Sequence, residues 1–341
     1  MYRISHNPPP PLSCFPQYTV QQMPPDPEQS FDPEDIPYFF DNWCSLPWSP
    51  WVPFAATKEE FRQIPYEPGV YRIRQAGKDV LMYIGETHKS LHQRLHNLRM
   101  ELRNRDLMPW SDPHAEAPAL WSWSDSEQYQ YECSAAPLDA SASGRKGMKS
   151  YLLYRYRLER GGSPLCNFGR FHPRYRKSTN RKEGLRGGKL AEGHKDNPAG
   201  WPSIEPLDIV AKPGDRDWMG LEWTAWEPLD AKNVRHGAAG AGLYLLADAG
   251  SQEIVYIGQS ADVAKRLLDH SRKAWDDRTL QFSYQIIGQS VLPHNLRELA
   301  NDLIGNFFET GQVIRPQEGK ESEGLFVICR KAPEFQFRKS R

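Results

Sequence analysis

A chain of 341 residues is long enough for two domains of ordinary size, and 39% apolar with 25% charged residues is typical of soluble globular protein. The formal net charge is zero, so no overall excess of basic residues marks a nucleic-acid binder, and any basic surface must be local. Five scattered cysteines without a C-x-x-C pair, no apolar run near ~18 residues and no signal-peptide layout predict a cytoplasmic protein with no membrane partner.

Residues 1–46 are rich in proline and acidic side chains, with Arg3 as the single lysine or arginine. Proline removes a backbone donor and fixes φ, so this stretch cannot form a regular helix or a central strand. We therefore predict an acidic, proline-rich N-terminal arm, which either wraps a domain as an ordered extended segment or stays unfolded.

The next pattern predicts a β-hairpin followed by a helix. Residues 70–74 alternate as a strand, residues 75–79 supply a turn, and residues 80–84 form the returning strand, which ends at Gly85. Ser90 then offers a side-chain oxygen at a helix start, and leucines at helical spacing give that helix an apolar face.

An insertion, a second helix and a basic segment follow. Residues 106–142 are rich in Trp, Asp, Ser and Pro, and residues 148–158 predict a helix that ends before Gly161. Residues 169–216 form a predicted basic linker, which either is solvated or tracks the phosphates of a nucleic acid. Its candidate DNA-binding residues are Arg170, Arg174, Arg176, Lys177, Arg181, Lys182 and Arg186.

The hairpin and its helix then occur a second time. Gly242-Leu243-Tyr244 and Tyr256-Ile257-Gly258 repeat Gly69-Val70-Tyr71 and Tyr83-Ile84-Gly85. The tryptophan-containing block at 223–229 likewise repeats the block at 48–54, about 175 residues apart. Residues 296–308 predict the later helix of the second copy. Matched blocks in one order indicate a duplicated domain, with units at 47–168 and 217–341.

These paired motifs resemble the GIY-YIG nuclease superfamily, whose members cut nucleic acid backbones. The resemblance covers most of the chain and implies two tandem α/β domains, each a small antiparallel sheet flanked by helices. It places the hairpin tyrosines beside the scissile phosphate and an arginine of the following helix on the phosphoryl oxygens. The implied catalytic residues are Tyr71, Tyr83 and Arg94 in the first copy, and Tyr244, Tyr256, Arg266 and His270 in the second.

One position departs from the family pattern in both copies. The family's metal ligand is a glutamate three residues before a Leu-Leu or Leu-Ile pair, and this position holds Lys149 and Ala300. Neither residue can bind Mg²⁺, which prefers carboxylate oxygens. Three explanations stay open: both ligands were substituted to stop cleavage, the natural protein binds without cutting, or another group, such as the ammonium of Lys149, replaces the cation.

The sequence therefore predicts a DNA endonuclease that hydrolyses phosphodiester bonds with Mg²⁺ in any form that retains the glutamate. With the present residues we expect no bound metal and little or no cleavage. Duplex DNA is the expected partner, and two sites in one chain make a homo-oligomer unnecessary. A restriction or defence role follows by analogy alone. The alternative is a nuclease-derived module that binds nucleic acid or a protein without hydrolysis.

Overall fold

The architecture comes from a computed structural model, which describes residues 37–234, 239–275, 278–288 and 290–310. Within these ranges the prediction of a mixed α/β chain with small antiparallel sheets is confirmed. Most of the predicted N-terminal arm and the end of the second unit beyond residue 310 lie outside the described residues. No helix in the described ranges is long and apolar enough to cross a membrane.

The first unit is a four-stranded antiparallel sheet with helices on both faces. Its strands are β1 (Val52–Pro53), β2 (Gly69–Gln75), β3 (Leu81–Thr87) and β4 (Tyr131–Pro137), and its helices are α1 (Lys58–Phe61), α2 (Leu91–Glu101), α3 (Ala117–Glu127) and α4 (Ala142–Arg160). The strand order is β1-β4-β2-β3, so the predicted hairpin forms one side of the sheet. Ser90 caps α2, since its hydroxyl accepts a hydrogen bond from the backbone N–H of Gln93 at 3.2 Å.

Strand β4 corrects the predicted extent of the insertion. The predicted range, 106–142, contains this strand, yet β4 pairs with β2 along its whole length in the interior of the sheet. Its residues are mostly small and none is β-branched, so it carries a weak strand signal. The part of the first unit that is truly inserted is therefore the segment around α3.

The basic segment after the first unit packs against that unit. It contains a short ribbon, β5 (Tyr175–Arg176) with β6 (Gly188–Lys189). Tyr175 is fully buried, and its hydroxyl donates to Asp125 of α3 at 2.6 Å, while Phe171 joins the core of the first unit. Of the two interpretations of residues 169–216, a solvated linker does not fit this packing.

The second unit repeats the plan of the first. Its strands are β7 (Glu227–Pro228), β8 (Gly242–Asp248), β9 (Ile254–Ser260) and β10 (Leu280–Ile286), and its helices are α5 (Ala231–Val234), α6 (Val263–Ser271) and α7 (Pro293–Glu309). The strand order β7-β10-β8-β9 is that of the first unit, and both hairpins shift register at the same point, after Ile73 and after Leu246. Among the described residues, α3 has no counterpart in the second unit.

A pair of tryptophans opens each unit. Trp48 donates its indole N–H to the backbone carbonyl of Trp43 at 2.9 Å, and Trp223 does the same to Trp218 at 3.0 Å. Both pairs enclose a residue with positive φ, Cys44 in the first unit and Met219 in the second. The repeat therefore begins at Trp43, slightly ahead of the boundary expected at residue 47.

Helices α4 and α7 join the two units across a pseudo-twofold interface. Equivalent positions meet each other: the Asn301 side chain donates to the carbonyl of Ser150 at 3.1 Å, a separation of 151 positions. Tyr154 and Gly305 are separated by the same interval, and a Cβ on Gly305 would lie 2.3 Å from that of Tyr154. Glycine thus lets the helices approach, and self-complementary contacts of this kind are the signature of a twofold axis.

A buried ion pair fixes the same interface. The Arg157 guanidinium donates to both carboxylate oxygens of Asp302, at 2.7 and 3.0 Å, and neither side chain is exposed. At the symmetry-equivalent place the rings of Tyr151 and Phe308 lie 5.9 Å apart. The two pairs occupy equivalent places about the pseudo-twofold axis, one as an ion pair and the other as an aromatic contact. Together they hold the two sheets in a fixed relation.

Candidate functional site

Both tyrosines of each hairpin lie on the sheet face covered by the arginine-bearing helix. The ring centroids of Tyr71 and Tyr83 are 6.0 Å apart, and those of Tyr244 and Tyr256 are 5.5 Å apart. Tyr71 is paired across the hairpin with Gly85, where a Cβ would lie 2.3 Å from the Tyr71 Cζ. Glycine at this position leaves room for the ring, which explains why the glycine ends both copies of the motif.

In the first unit, Arg94 and Tyr71 converge on a carboxylate. The Arg94 Nη2 donates to both oxygens of Glu116, at 2.9 and 3.1 Å, and the Tyr71 hydroxyl donates to Glu116 Oε1 at 2.8 Å. The Arg94 Nε also lies 3.3 Å from the Tyr71 oxygen. A guanidinium and a phenol around one anionic oxygen pair form an anion-binding arrangement.

This cluster lies below the surface. The side chain of Glu116 is not exposed and that of Arg94 is 23% exposed, so access is from the arginine side. Burial, reinforced by the Glu116 charge, raises the pKa of Tyr71 far above its ordinary value. Burial and then Glu116 raise the pKa of Tyr83 as well. Both phenols are therefore neutral hydrogen-bond donors at physiological pH.

Glu116 and His114 were not identified from the sequence. Glu116 occupies the residue before α3, and its side chain makes no capping bond to that helix because it turns toward Arg94. The imidazole of His114 is 2% exposed, its Nδ1 lies 3.9 Å from Glu116 Oε1, and neither ring nitrogen has a hydrogen-bond partner in the part of the chain that is described. The sequence shows only that Glu116 is an acidic residue ahead of an apolar run, and this pattern does not indicate contact with a distant hairpin.

The buried His114 should make the folded state sensitive to acid. Burial first, and then the Arg94 charge, lower the pKa of His114 to about 4, against an opposing effect of Glu116. In the unfolded chain the same imidazole binds a proton at a higher pH. The contribution of neutral His114 to the free energy of unfolding is therefore complete above about pH 6.5 and is lost as the pH falls toward 4.

The His114→Gln variant should therefore lose less unfolding free energy across this pH range than the unmodified protein. The difference should be at most about 1.4 kcal/mol per pH unit, measured by urea unfolding at each pH. The exposed His88 provides the control. Equal slopes for His114→Gln and His88→Gln would contradict the assignment.

Lys149 occupies the position for which the resemblance implies a metal ligand, and it interacts electrostatically with Glu116 of the same cluster. It is half-buried, and burial lowers the pKa of its ammonium, while Glu86 and Glu116 oppose the shift. The ammonium is therefore within electrostatic range of both carboxylates. That a lysine stands in for a cation stays a hypothesis, and among the described residues no hydrogen bond from Lys149 fixes its ammonium.

The second unit differs in chemistry. The Tyr244 hydroxyl lies 3.0 Å from His270 Nε2, the rings of Tyr256 and His270 are 4.7 Å apart, and the Trp275 indole N–H donates to the His270 carbonyl. Burial is the main cause that lowers the pKa of His270 to about 3. An imidazole that is 1% exposed and bonded to a phenol is not placed to meet a phosphate, contrary to its predicted role.

Arg266 and Ala300 complete the second unit. Arg266 is half-buried, and no hydrogen bond or ion pair engages its guanidinium within the described ranges. Ala300 is 6% exposed and belongs to an apolar cluster with Leu299, Leu303 and Phe307. The guanidinium of Arg266 thus has no internal partner in the described part of the chain, whereas Ala300, at the position for which the resemblance implies a metal ligand, is part of the core.

The predicted DNA-binding residues of the basic segment divide into two groups. Arg170 is buried and donates to the Ser163 carbonyl at 2.7 Å, so the prediction that it contacts DNA does not fit its position. Arg174 bonds Asp196 at 2.9 Å, and Arg186 lies over the ring of Trp110 at 3.9 Å. Lys177 is half-buried, and burial lowers its pKa. The side chains that remain exposed are Arg176, Arg181 and Lys182.

The residues present do not fit a magnesium ion. In the described ranges no group of three or more His, Cys, Asp or Glu side chains could hold a metal, and the expected ligand positions carry a cation and a methyl group. No protein-family model, curated protein or solved structure matched the chain.

Proposed function

We propose that this chain is a DNA-binding protein on a GIY-YIG-type nuclease scaffold, which holds the phosphodiester backbone without hydrolysing it through a metal ion. The observation that carries the proposal is the convergence of Arg94 and Tyr71 on one anionic oxygen pair, together with Lys149 where a metal ligand would be needed. Arg94 and Tyr71 hold a carboxylate of the chain itself, which supports an affinity for anions, and Lys149 cannot act as a ligand of Mg²⁺.

The second unit supports the proposal with an open arginine. Arg266 occupies the position in α6 that Arg94 occupies in α2, and no carboxylate engages it among the described residues. A guanidinium retains its charge at all physiological pH values and matches phosphate geometry. Arg266 is therefore a guanidinium of the hairpin-and-helix site that can meet a DNA backbone without first leaving an internal carboxylate.

The pseudo-twofold interface supports duplex DNA rather than a single strand. Because α4 and α7 hold the two units together, the two arginine-bearing helices keep one relation to each other, as in a symmetric dimer. The exposed Arg176, Arg181 and Lys182 add positive charge on the first unit's side. With a net charge of zero overall, binding depends on these local groups and should be sensitive to salt.

The test is a titration of a short labelled duplex with the full chain at several salt concentrations, with a denaturing gel run on each mixture. Binding without product, with or without Mg²⁺, supports the proposal. Product that forms with Mg²⁺ and is suppressed by EDTA supports an endonuclease instead. Absence of both binding and cleavage overturns both functions.

Replacing Arg266 should weaken this binding. We expect Arg266→Ala to raise the Kd about tenfold and to reduce the slope of log K against log salt by about 1, because one phosphate contact is lost. Arg272→Ala is the matched control, since Arg272 is an exposed arginine of the same unit that lies 3.9 Å from Asp269. If both variants lose the same affinity, Arg266 has no special contact with the backbone.

A second candidate function is a Mg²⁺-dependent DNA endonuclease with a restriction or defence role. It is favoured by the position of Lys149 within electrostatic range of Glu86 and Glu116. A glutamate at residue 149 would supply the carboxylate that the family pattern has at this position, and hard cations are held by such oxygen ligands. The second unit offers no comparable arrangement, because Ala300 lies in an apolar cluster.

A further inference from the structure

Glu116 fills the anion-binding position of the first unit from within the chain. Three hydrogen bonds reach its carboxylate, two from Arg94 and one from Tyr71, at 2.8 to 3.1 Å. Its side chain is completely buried, so no oxygen is left for a ligand from solvent. The two groups that would hold a phosphate are therefore already engaged with an internal carboxylate.

At the equivalent place of the second unit, the Tyr244 hydroxyl lies 3.0 Å from His270 Nε2, and no carboxylate of the described residues reaches it. There the chain runs from α6 to β10 through a short connection, and no carboxylate engages Arg266 in the described part of the chain. In the first unit the connection from α2 to β4 contains α3 and the residues ahead of it, which bring in Glu116. The occupant thus arrives with the segment that the second unit lacks.

The basic segment holds this insertion in place. The backbone N–H of Ser111 donates to the Thr179 carbonyl at 3.1 Å, and the N–H of Arg181 donates to the Asp112 carboxylate at 2.7 Å. The Arg186 guanidinium lies over the Trp110 ring at 3.9 Å. The basic segment, which is predicted to contact DNA, therefore also holds the insertion that places Glu116 against Arg94.

His114 adds unused hydrogen-bonding capacity beside Glu116. Its imidazole is 98% removed from solvent, and both ring nitrogens lack a partner among the described residues. Buried polar groups in folded proteins are rarely left unpaired, and each one calls for an explanation. A tetrahedral anion has more oxygens than a carboxylate, so a phosphate at this position could engage the imidazole as well as Arg94 and Tyr71.

We propose that Glu116 is an internal substitute for phosphate, and that a DNA backbone phosphate reaches Arg94 and Tyr71 only when the segment ahead of α3 moves away. This inference rests on the proposed DNA binding and adds a regulated step to it. While Glu116 remains against Arg94, the second unit binds DNA through Arg266, and the first unit contributes the exposed side chains of Arg176, Arg181 and Lys182. Displacement of Glu116 adds a contact at the first unit.

The test compares the duplex affinity of Glu116→Gln with that of the unmodified full chain at several salt concentrations. Glutamine keeps the shape of the side chain and removes its charge, so Arg94 becomes available to phosphate. We expect binding about tenfold tighter and a salt slope steeper by about 1, because one more phosphate is engaged. The gain should vanish in the Glu116→Gln, Arg94→Ala double variant. Glu132→Gln is the control, since Glu132 pairs with Arg74 at 2.8 Å away from this site.

If the unmodified chain binds DNA and folded Glu116→Gln binds no more tightly than Glu132→Gln, the inference is overturned while the proposed function stands. If neither the unmodified chain nor any variant binds DNA, both are overturned. Circular dichroism and thermal melting establish that the variants are folded.

A second pair of variants carries the test if Glu116→Gln does not fold. Asp112→Ala removes the tie to Arg181, whereas Asp106→Ala removes one exposed charge from the same loop without touching that tie. The inference expects tighter binding for Asp112→Ala than for Asp106→Ala. Equal affinities would overturn it.

Discussion

Replacing Asp302 by alanine is expected to lower the free energy of unfolding by about 3–5 kcal/mol, because it leaves the Arg157 guanidinium buried without its main partner. Both side chains are completely buried, and their two hydrogen bonds measure 2.7 and 3.0 Å. Burial raises the pKa of Asp302 in spite of the opposing effect of Arg157, which shows the cost of keeping this charge inside. The loss should be visible in urea unfolding as a lower midpoint.

A second ion pair between the same helices provides the control. Arg155 and Glu309 lie 3.3 Å apart, but the Glu309 side chain is 36% exposed, so Glu309→Ala should cost less than about 1 kcal/mol. Replacing Arg157 and Asp302 together by leucine should recover most of the stability. Equal losses for Asp302→Ala and Glu309→Ala would show that the buried pair does not hold the units together.

Lys149→Glu is expected to give the largest change in activity. It introduces a carboxylate at the position for which the resemblance implies a metal ligand, and if this carboxylate binds Mg²⁺ the variant should nick duplex DNA about a hundredfold faster than the unmodified chain, which corresponds to about 3 kcal/mol of barrier. Because Ala300 remains in the second unit, we expect nicks in one strand rather than double-strand breaks. Calorimetric titration with Mg²⁺ measures metal binding, and a plasmid-nicking assay with and without EDTA measures metal-dependent cleavage.

The control for this experiment is Lys146→Glu, which makes the same charge change one turn earlier in α4. Nicking by Lys149→Glu alone would support the endonuclease candidate as the origin of the scaffold. Mg²⁺ binding without nicking would leave the DNA-binding function as the better account. The companion change Ala300→Glu is expected to destabilise the second unit, since its carboxylate would enter an apolar cluster.

The hairpins and their helices could be predicted because their signals are local. Alternation marks the strands, glycine marks the strand end, and Ser90 caps the following helix as expected, as Asp262 does in the second unit. The spacing of the two tyrosines alone could not predict that they share one face of the sheet, because each hairpin contains a register shift. That shift brings Tyr83 and Tyr256 to the face of Tyr71 and Tyr244.

Contacts between distant segments could not be predicted. Strand β4 falls in the range 106–142, which is predicted as an insertion from its content of Trp, Asp, Ser and Pro, and its role follows from pairing with β2. Glu116 meets Tyr71 across 45 positions, and Arg157 meets Asp302 across 145, so no local pattern indicates either contact. The tryptophan pairs at Trp43 and Trp218 were a missed signal, since their equal spacing to the next tryptophan is visible in the sequence.

The fusion of two units through α4 and α7 has a consequence for how such a protein can evolve. In a homodimer every substitution occurs in both subunits, so an extra loop that blocks one site must block its twin. Here a single polypeptide places Glu116 against Arg94 in one unit, while in the described part of the other unit no carboxylate engages Arg266. Fusion of the two units in one chain therefore permits their sites to diverge, because a loop can be inserted beside one site without being inserted beside the other.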